Sequence, residues 1–522
     1  MKKLLFVIFL FFLLSPIIKA QQWTIMVYLD GDNDLEPFAN ADFLEMAAIG
    51  STSEVNIVVQ IDRTTENTMR YYIEKGLTLD SEPIEDCGEL NMGAPETLQD
   101  FIEWAISNYP ADKYMLVLWN HGDGWRKRVK KTAKQVCYDE NEDDWLTMDE
   151  VKEAISNAIS NTIGDDGKLD IIAFDACLMG MVEVATEIKS LANVMVASEQ
   201  TEPGDGWPYH YILKELVRRP TLSAKGLARL IVQKYYEYYI LQAGELDITY
   251  SAIDLTKIDE LNTKIKNFVE STTNTNRWQF IQRAREAAKS YENSDYIDIY
   301  HLMSKIISSG MPDRDVVNAA NEVRRGVRNA VILSKCGPSA TNSNGLSIFF
   351  PISEDNFIDS DVYISREFDD TTQWSTFLYT YFNPPSENGV DGSGSAKIEG
   401  LSSFKAGCKV KEIKIVFTAT QDLSNGQLTL DIPESWTMPR TTNLAPGQVV
   451  VTKYTGANIS WSLNNRTITI NLINFDVGKK LGISYRNAIA PSMSDNYKFT
   501  IKTKGSGGTL TEIAESPIIR VY

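Results

Sequence analysis

The chain reads as an α/β unit, a mostly parallel sheet flanked by helices, followed by an all-β sandwich. Three observations predict this. From Trp23 to about residue 383, short apolar runs alternate with stretches whose apolar residues recur every three or four positions, the pattern of buried parallel strands covered by helices. Residues 384–396 are rich in Pro, Gly and Ser, the composition of a linker. From 397 to 522 the period changes to alternation in short segments separated by turn residues, as in a sandwich.

The N-terminal twenty residues stand apart from this plan. Lys2 and Lys3 precede eleven apolar residues, Leu4 to Leu14, and Ser15, Pro16 and Ala20 follow before Gln21. That is the layout of a secretory signal peptide, and the run falls short of the ~20 residues that span a bilayer. Export to the cell surface, the periplasm or the medium is the expectation, with no transmembrane segment in the mature chain. In the α/β unit, taken as residues 21–383, the expected strands are Trp23–Leu29, Val55–Ile61, Met69–Ile73, Tyr114–Trp119, Asp170–Phe174 and Val194–Ser198. Helices are expected over Glu96–Asn108 and Met148–Ile159. A helix-rich stretch from about Thr221 to Ser334 is interrupted by a strand at Ile248–Leu255, and a buried strand, Leu346–Phe350, ends at Pro351. The sandwich strands are expected at Glu412–Thr418, Gln427–Ile432, Val449–Tyr454, Ile459–Leu463, Thr467–Ile473, Leu481–Tyr485 and Tyr497–Lys502. This module has no His and only Cys408, so an accessory role suits it better than catalysis.

Composition removes several functions. The chain has 522 residues with 51 Lys and Arg against 70 Asp and Glu, a net charge of −19. Loss of Lys2, Lys3 and Lys19 with the leader makes the exported chain still more acidic. Nucleic acid is therefore excluded as the main partner, because phosphate contacts need clustered basic residues. Only His121, His210 and His301 occur, none in an HExxH pattern, which argues against a His-rich zinc site. Cys87, Cys137, Cys177, Cys336 and Cys408 are sparse and odd in number, unlike a disulfide scaffold. At least one thiol stays free.

The chemistry is expected at two strand ends, since open α/β sheets present reactive groups just beyond the carboxyl ends of their strands. One run leads into Asn120-His-Gly-Asp-Gly-Trp125, the other into Asp175-Ala-Cys-Leu-Met-Gly180. If these strands are adjacent, His121 and Cys177 face one crevice, as a nucleophilic thiol and its base require. Either residue alone reads more readily as structural. Together, 56 residues apart with the His first, their order and spacing are similar to the caspase signature. Gly122 leaves room for a substrate backbone, and its N–H is an oxyanion donor candidate. This chemistry requires no cofactor.

Together with these two segments, Met26-Val-Tyr-Leu-Asp-Gly-Asp-Asn-Asp-Leu-Glu36 and Ser198-Glu-Gln-Thr-Glu-Pro-Gly-Asp-Gly-Trp207 make residues 23–383 resemble the clostripain family of cysteine peptidases. The resemblance implies a caspase-like fold, shared with gingipains and legumains, and endopeptidase activity on proteins and peptides after basic residues, Arg above all. It assigns Cys177 as nucleophile, His121 as acid–base partner, and the backbone N–H groups of Gly122 and Cys177 as oxyanion donors. For the basic side chain a carboxylate is needed. Asp205, flanked by glycines on the loop after Val194–Ser198, is one candidate, with Trp207 as a wall for the aliphatic stem. Asp175 is the second. The Pro-Gly-Asp-Gly context of Asp205 also suits a plain turn.

Arg126, Lys127, Arg128, Lys130, Lys131 and Lys134 put six basic residues among nine, between the two catalytic candidates. A charge run is usually a solvated loop. Here it is also a substrate for an Arg/Lys-directed enzyme, and the resemblance implies a zymogen cut between its His and its Cys. Self-processing at residues 126–134, leaving two chains held together, is the expectation. The acidic loop with Asp30, Asp32 and Asp34 invites a calcium reading, although it fails the EF-hand template, with Leu35 at the sixth position and Ala41 at the twelfth. The rival to the enzyme is a catalytically idle surface-binding protein that keeps the α/β unit as a scaffold and adheres through the sandwich.

Overall fold

The computed structural model describes residues 21–125, 136–273, 275, 277–357, 366–384, 390–454, 457–505 and 508–522. The expected signal peptide (1–20) and the basic loop (126–134) lie outside the described residues, as does part of the expected linker. The chain forms two compact units: residues up to 179, 188–255 and 335–339 make the first, and 180–187, 256–334 and 340–522 the second.

In chain order the first strands are β1 (Trp23–Gly31), β2 (Val55–Arg63), β3 (Glu66–Tyr72), β4 (Glu85–Asp86), β5 (Tyr114–Trp119), β6 (Val136–Asp139) and β7 (Asp144–Leu146). They are followed by β8 (Leu169–Asp175), β9 (Ala192–Ala197), β10 (Thr249–Asp254), β11 (Tyr296–Asp298), β12 (Val331–Cys336) and β13 (Ser347–Phe349). Nine of these form one sheet in the order β12-β10-β9-β8-β5-β1-β2-β3-β4. Its heart is parallel: β2, β1, β5, β8 and β9 pair in the same direction. The flanks turn antiparallel, β3 on β2 and β10 on β9. Every residue of β1 and β5 is buried, which is why apolar residues run without alternation through β5 and from Ile25 to Leu29 in β1.

The helices of the first unit follow from their apolar spacing. In Met148–Thr162 the buried residues are Met148, Val151, Ala154, Ile155, Ala158 and Ile159, one stripe at helical period. Thr147 and Glu150 close a capping box at its start, which satisfies two backbone N–H groups that a helix N-terminus leaves open. Pro95 opens the helix Pro95–Asn108, where the missing N–H costs nothing.

In the second unit, β11 and β13 pair antiparallel beside the helices Ile258–Thr273, Arg314–Ala330 and Trp374–Phe382. The expected strand at Leu346–Phe350 is thus β13, in a two-stranded sheet of its own. The stretch expected as helical up to Ser334 ends instead in β12, which directly follows the helix Arg314–Ala330. The C-terminal sheets have four, three and five strands around a core that includes Phe417, Leu430, Trp436, Ile470, Ile483 and Phe499. One expected strand, Tyr497–Lys502, is two: Asp495–Lys498 pairs with Ile518–Val521, and Thr500–Lys504 with Gly426–Asp431. The chain changes sheets at Phe499, whose ring is wholly buried, as sandwich corners allow. Among the described residues, no helix is long and apolar enough to cross a membrane.

Candidate active site

β5 and β8 are neighbours, with Trp119 opposite Asp175. His121 and Cys177 each lie two residues beyond that last pair, so the parallel register brings both loops out side by side. Their contact is close: a Cβ on Gly122 would stand 2.4 Å from the Cys177 carbonyl oxygen and 3.1 Å from the Cys177 nitrogen. Only glycine fits there.

Each loop is fixed from behind. Asn120 donates through Nδ2 to the Asp30 carboxylate at 2.5 Å, to the Asp30 carbonyl at 2.9 Å and to the Tyr138 carbonyl at 3.2 Å. Its Oδ1 accepts from the His121 N–H. The imidazole Nε2 of His121 lies 2.8 Å from Asp34 Oδ1, with the ring about one quarter exposed. The other histidines do different work. His210 pairs with Glu45 at 2.9 Å, and His301 Nδ1 accepts the Lys289 N–H at 2.8 Å.

Cys177 is half-buried, and burial pushes its thiol pKa up, with the charges of Asp175 and Asp123 adding to the effect. The Glu202 backbone N–H opposes this by donating to Sγ at 3.2 Å, a bond that favours the thiolate. All five cysteines are free thiols. Cys137 is wholly enclosed and Cys87 is also pushed up by burial, whereas Cys177 lies on a loop just past the end of β8, next to the His121-bearing loop.

Behind Cys177 lies a buried cluster of carboxyl groups. Asp175 Oδ2 accepts from the Trp207 N–H at 3.1 Å and the Tyr209 hydroxyl at 3.0 Å. Burial raises its pKa to about 7. Asp42 accepts the Trp119 indole N–H at 2.7 Å, and burial together with the Asp175 charge lifts it well above the usual carboxylate range. Glu202 accepts the Ala176 N–H at 3.3 Å and is lifted likewise by burial and by Asp175. Gly206, at φ +56°, closes this group: a Cβ there would stand 3.0 Å from Asp42 Oδ2 and 3.1 Å from Asp175 Oδ2. Asp205 itself is exposed. Trp207 is 1% exposed, its indole N–H bonded to the Tyr250 hydroxyl. It belongs to the floor under the loop and offers no open ring face.

The three acidic residues at and just past the end of β1 part company. Asp30 holds Asn120, Asp34 faces His121, and Asp32 turns into a separate group of carboxylates with Asp62, Glu89, Asp139 and Glu142. Asp34 at the imidazole, Glu202 at the thiol and Asp42 in the buried carboxyl cluster are placements that sequence reasoning missed. For Asp42 a signal existed, a charged residue among the apolar positions of the helix Glu36–Ile49. For the bond from the Glu202 N–H to sulfur there was none.

This architecture is the caspase-like α/β fold of cysteine peptidases, with β-sheets appended at its C-terminus. The sequence profile of the clostripain family matches residues 27–381, and the chain belongs to that family of cysteine peptidases. It is 28% identical over 404 residues to clostripain from Hathewaya histolytica, covering 64% of this chain and 75% of that one. Two solved structures share the fold: a secreted C11 cysteine protease from Bacteroides thetaiotaomicron in complex with an irreversible peptide inhibitor (TM-score 0.54, 23% identity), and an inactive zymogen C11 protease from Parabacteroides distasonis (TM-score 0.52, 20% identity). Each alignment covers 68% of this chain and 99% of the other.

Proposed function

We propose that the chain is an exported endopeptidase that cleaves after Arg or Lys with a Cys177–His121 pair, made as a zymogen and activated by cutting its own basic loop. The observation that carries this reading is the matched register of β5 and β8, with His121 and Cys177 at equal distances past it. His121 takes the Cys177 proton as substrate binds, and the thiolate attacks the scissile carbonyl carbon. The N–H groups of Gly122 and Cys177 stabilise the oxyanion. Protonated His121 then gives its proton to the leaving amine, and water attacking the thioester restores the enzyme. Asp34, 2.8 Å from Nε2, is a positioning residue that holds the ring.

The carboxyl pocket supports the preference for a basic side chain. Asp175 is the buried partner for a guanidinium, Asp205 an outer one at the exposed rim, and Trp207 supports the floor through the N–H that it donates to Asp175. Residues 21–383 form the catalytic domain in this reading, and 397–522 an accessory domain. The leader-like residues 1–20 support export. After cutting within 126–134 the fragments remain associated as two chains.

The test is hydrolysis of paired reporter peptides ending in Arg, Lys, Asp or Asn, with Cys177→Ala as control. Cleavage after Arg or Lys, lost in the control, is expected. Cleavage only after Asp or Asn would overturn the pocket assignment. No cleavage by loop-cut enzyme would favour the idle scaffold.

A further inference from the structure

Gly206 is buried although its neighbour Asp205 is exposed, so the backbone polar groups of Gly206 must find partners inside the protein. Its N–H turns back to the Pro203 carbonyl at 3.0 Å. Its carbonyl accepts at 2.6 Å from the hydroxyl of Tyr239, a side chain from a distant part of the chain. The next N–H, that of Trp207, goes to Asp175. The short loop that carries Asp205 is thus tied down on its inner side, and a buried carbonyl that lost its donor would bear the full desolvation cost of an unmade bond.

Tyr239 is itself held in place. It opens the π-helical turn Tyr239–Ala243, which continues the helix Ala224–Tyr238. The wide turn closes on its carbonyl, which accepts from the N–H groups of Gly244, at φ +74°, and Glu245. Single π-turns are rare and collect at functional sites. The Tyr239 ring lies 4.6 Å from that of Tyr235, which stacks on Tyr250 at 4.1 Å. Tyr250 in turn donates at 2.7 Å to the carbonyl of Phe174, the residue before Asp175, and accepts the Trp207 indole N–H. One tyrosine therefore holds the strand end with Asp175, and the other holds the loop with Asp205. Burial and the charges of Asp175, Glu202 and Asp205 push the Tyr239 phenol well above its ordinary pKa, so its hydroxyl keeps its proton and stays a donor.

We infer that Tyr239 is a positioning residue for specificity: its hydroxyl fixes the Gly206 peptide and thereby holds Asp205 where the basic side chain of a substrate enters. This role rests on the peptidase reading, with Asp205 as the outer carboxylate of the pocket. Without the hydroxyl, the Gly206 carbonyl must turn to reach water. Gly206 has little room to move inward, since a Cβ on it would stand 3.0 Å from Asp42 Oδ2 and 3.1 Å from Asp175 Oδ2. The rotation passes outward to Asp205, whose carboxylate then spreads over several positions and meets a guanidinium less often. Tyr239 acts on the loop and leaves the reacting atoms alone, so its removal weakens binding of a charged side chain and spares turnover.

The test compares the processed parent, Tyr239→Phe, Asp205→Asn and the double variant on matched peptides ending in Arg or in citrulline, its neutral isostere. Phe keeps the ring and its packing and removes only the donor. Tyr239→Phe should lower kcat/KM on the Arg peptide ~10-fold, nearly all of it through KM, with citrulline cleavage within ~2-fold of the parent. In the Asp205→Asn background the same change should cost less than ~2-fold on Arg, because the group it positions has lost its charge. Additive losses in the double variant, a kcat loss shared by both peptides, or a Tyr239→Phe chain that no longer folds would make Tyr239 a structural residue and overturn the role, with the peptidase reading intact. A parent without preference for Arg over citrulline, or an Asp205→Asn variant that keeps the whole preference, would refute the pocket reading and the role with it.

Discussion

Asp175→Asn separates charge from shape in the acidic pocket. The carboxyl is buried, and its pKa rises from 3.8 to about 7. At 1.36 kcal/mol per unit, holding it ionised costs the free protein about 4 kcal/mol. The folded pKa lies above the unfolded one, so the folded state binds the extra proton, and stability is lost as pH rises from about 4 through about 7. An amide at this position keeps an oxygen for Trp207 N–H and Tyr209 OH and carries no charge. At pH 8 the variant should therefore melt no lower than the parent. The incoming guanidinium loses its buried counter-charge, worth about 3 kcal/mol or roughly 10²-fold. The assay is kcat/KM for a peptide ending in Arg against the same peptide ending in citrulline, the neutral isostere. Asn should cut the Arg-to-citrulline ratio by ~10² while leaving citrulline cleavage near the parent value. An unchanged ratio, or equal losses on both peptides, would refute the reasoning.

Further outcomes follow from the same geometry. The Arg-to-citrulline ratio in the parent should rise with pH through about 7, as Asp175 ionises; the thiol acts on both substrates equally, so a flat ratio counts against the pocket. Gly122→Ala should abolish activity and lower the melting temperature, since its Cβ meets the Cys177 carbonyl at 2.4 Å; a variant with parent stability and turnover would place the loop wrongly. Asp34→Asn should lower kcat ~10-fold with KM little changed and shift the acid limb of the pH profile; a pure KM effect would argue for substrate contact. Cys177→Ala should stay uncut within 126–134 when pure, whereas cutting at the parent rate would rule out self-processing.

His121 and Cys177 stood out in the sequence because each lies just past a mostly apolar run, Tyr114–Trp119 or Ile171–Phe174, that reads as a buried strand, with a small residue beside each, Gly122 and Ala176. Asp34 was legible as an acid and misleading as to its partner. Alternate carboxylates in Asp30-Gly-Asp-Asn-Asp34 look equivalent in sequence, and only the turn after β1 sends one to Asn120, one to the acidic cluster and one to His121. The β6–β7 hairpin, with Asp139 and Glu142, is short and acidic, so no periodicity marks it. β12 was hidden because it begins where a 17-residue helix ends and all its residues are half-buried. Trp207 illustrates a limit of spacing: an aromatic beside glycines suits a pocket wall, but the tertiary fold buries it against Tyr250.

The most direct test of the central claim is covalent mapping of the processed enzyme with a peptide that ends in an arginyl, thiol-reactive ketone, followed by mass spectrometry. The expected result is one adduct per molecule, on Cys177, slowed strongly by His121→Ala and absent with an aspartyl analogue. An adduct on Cys87, Cys137, Cys336 or Cys408, or equal labelling by the aspartyl analogue, would contradict it.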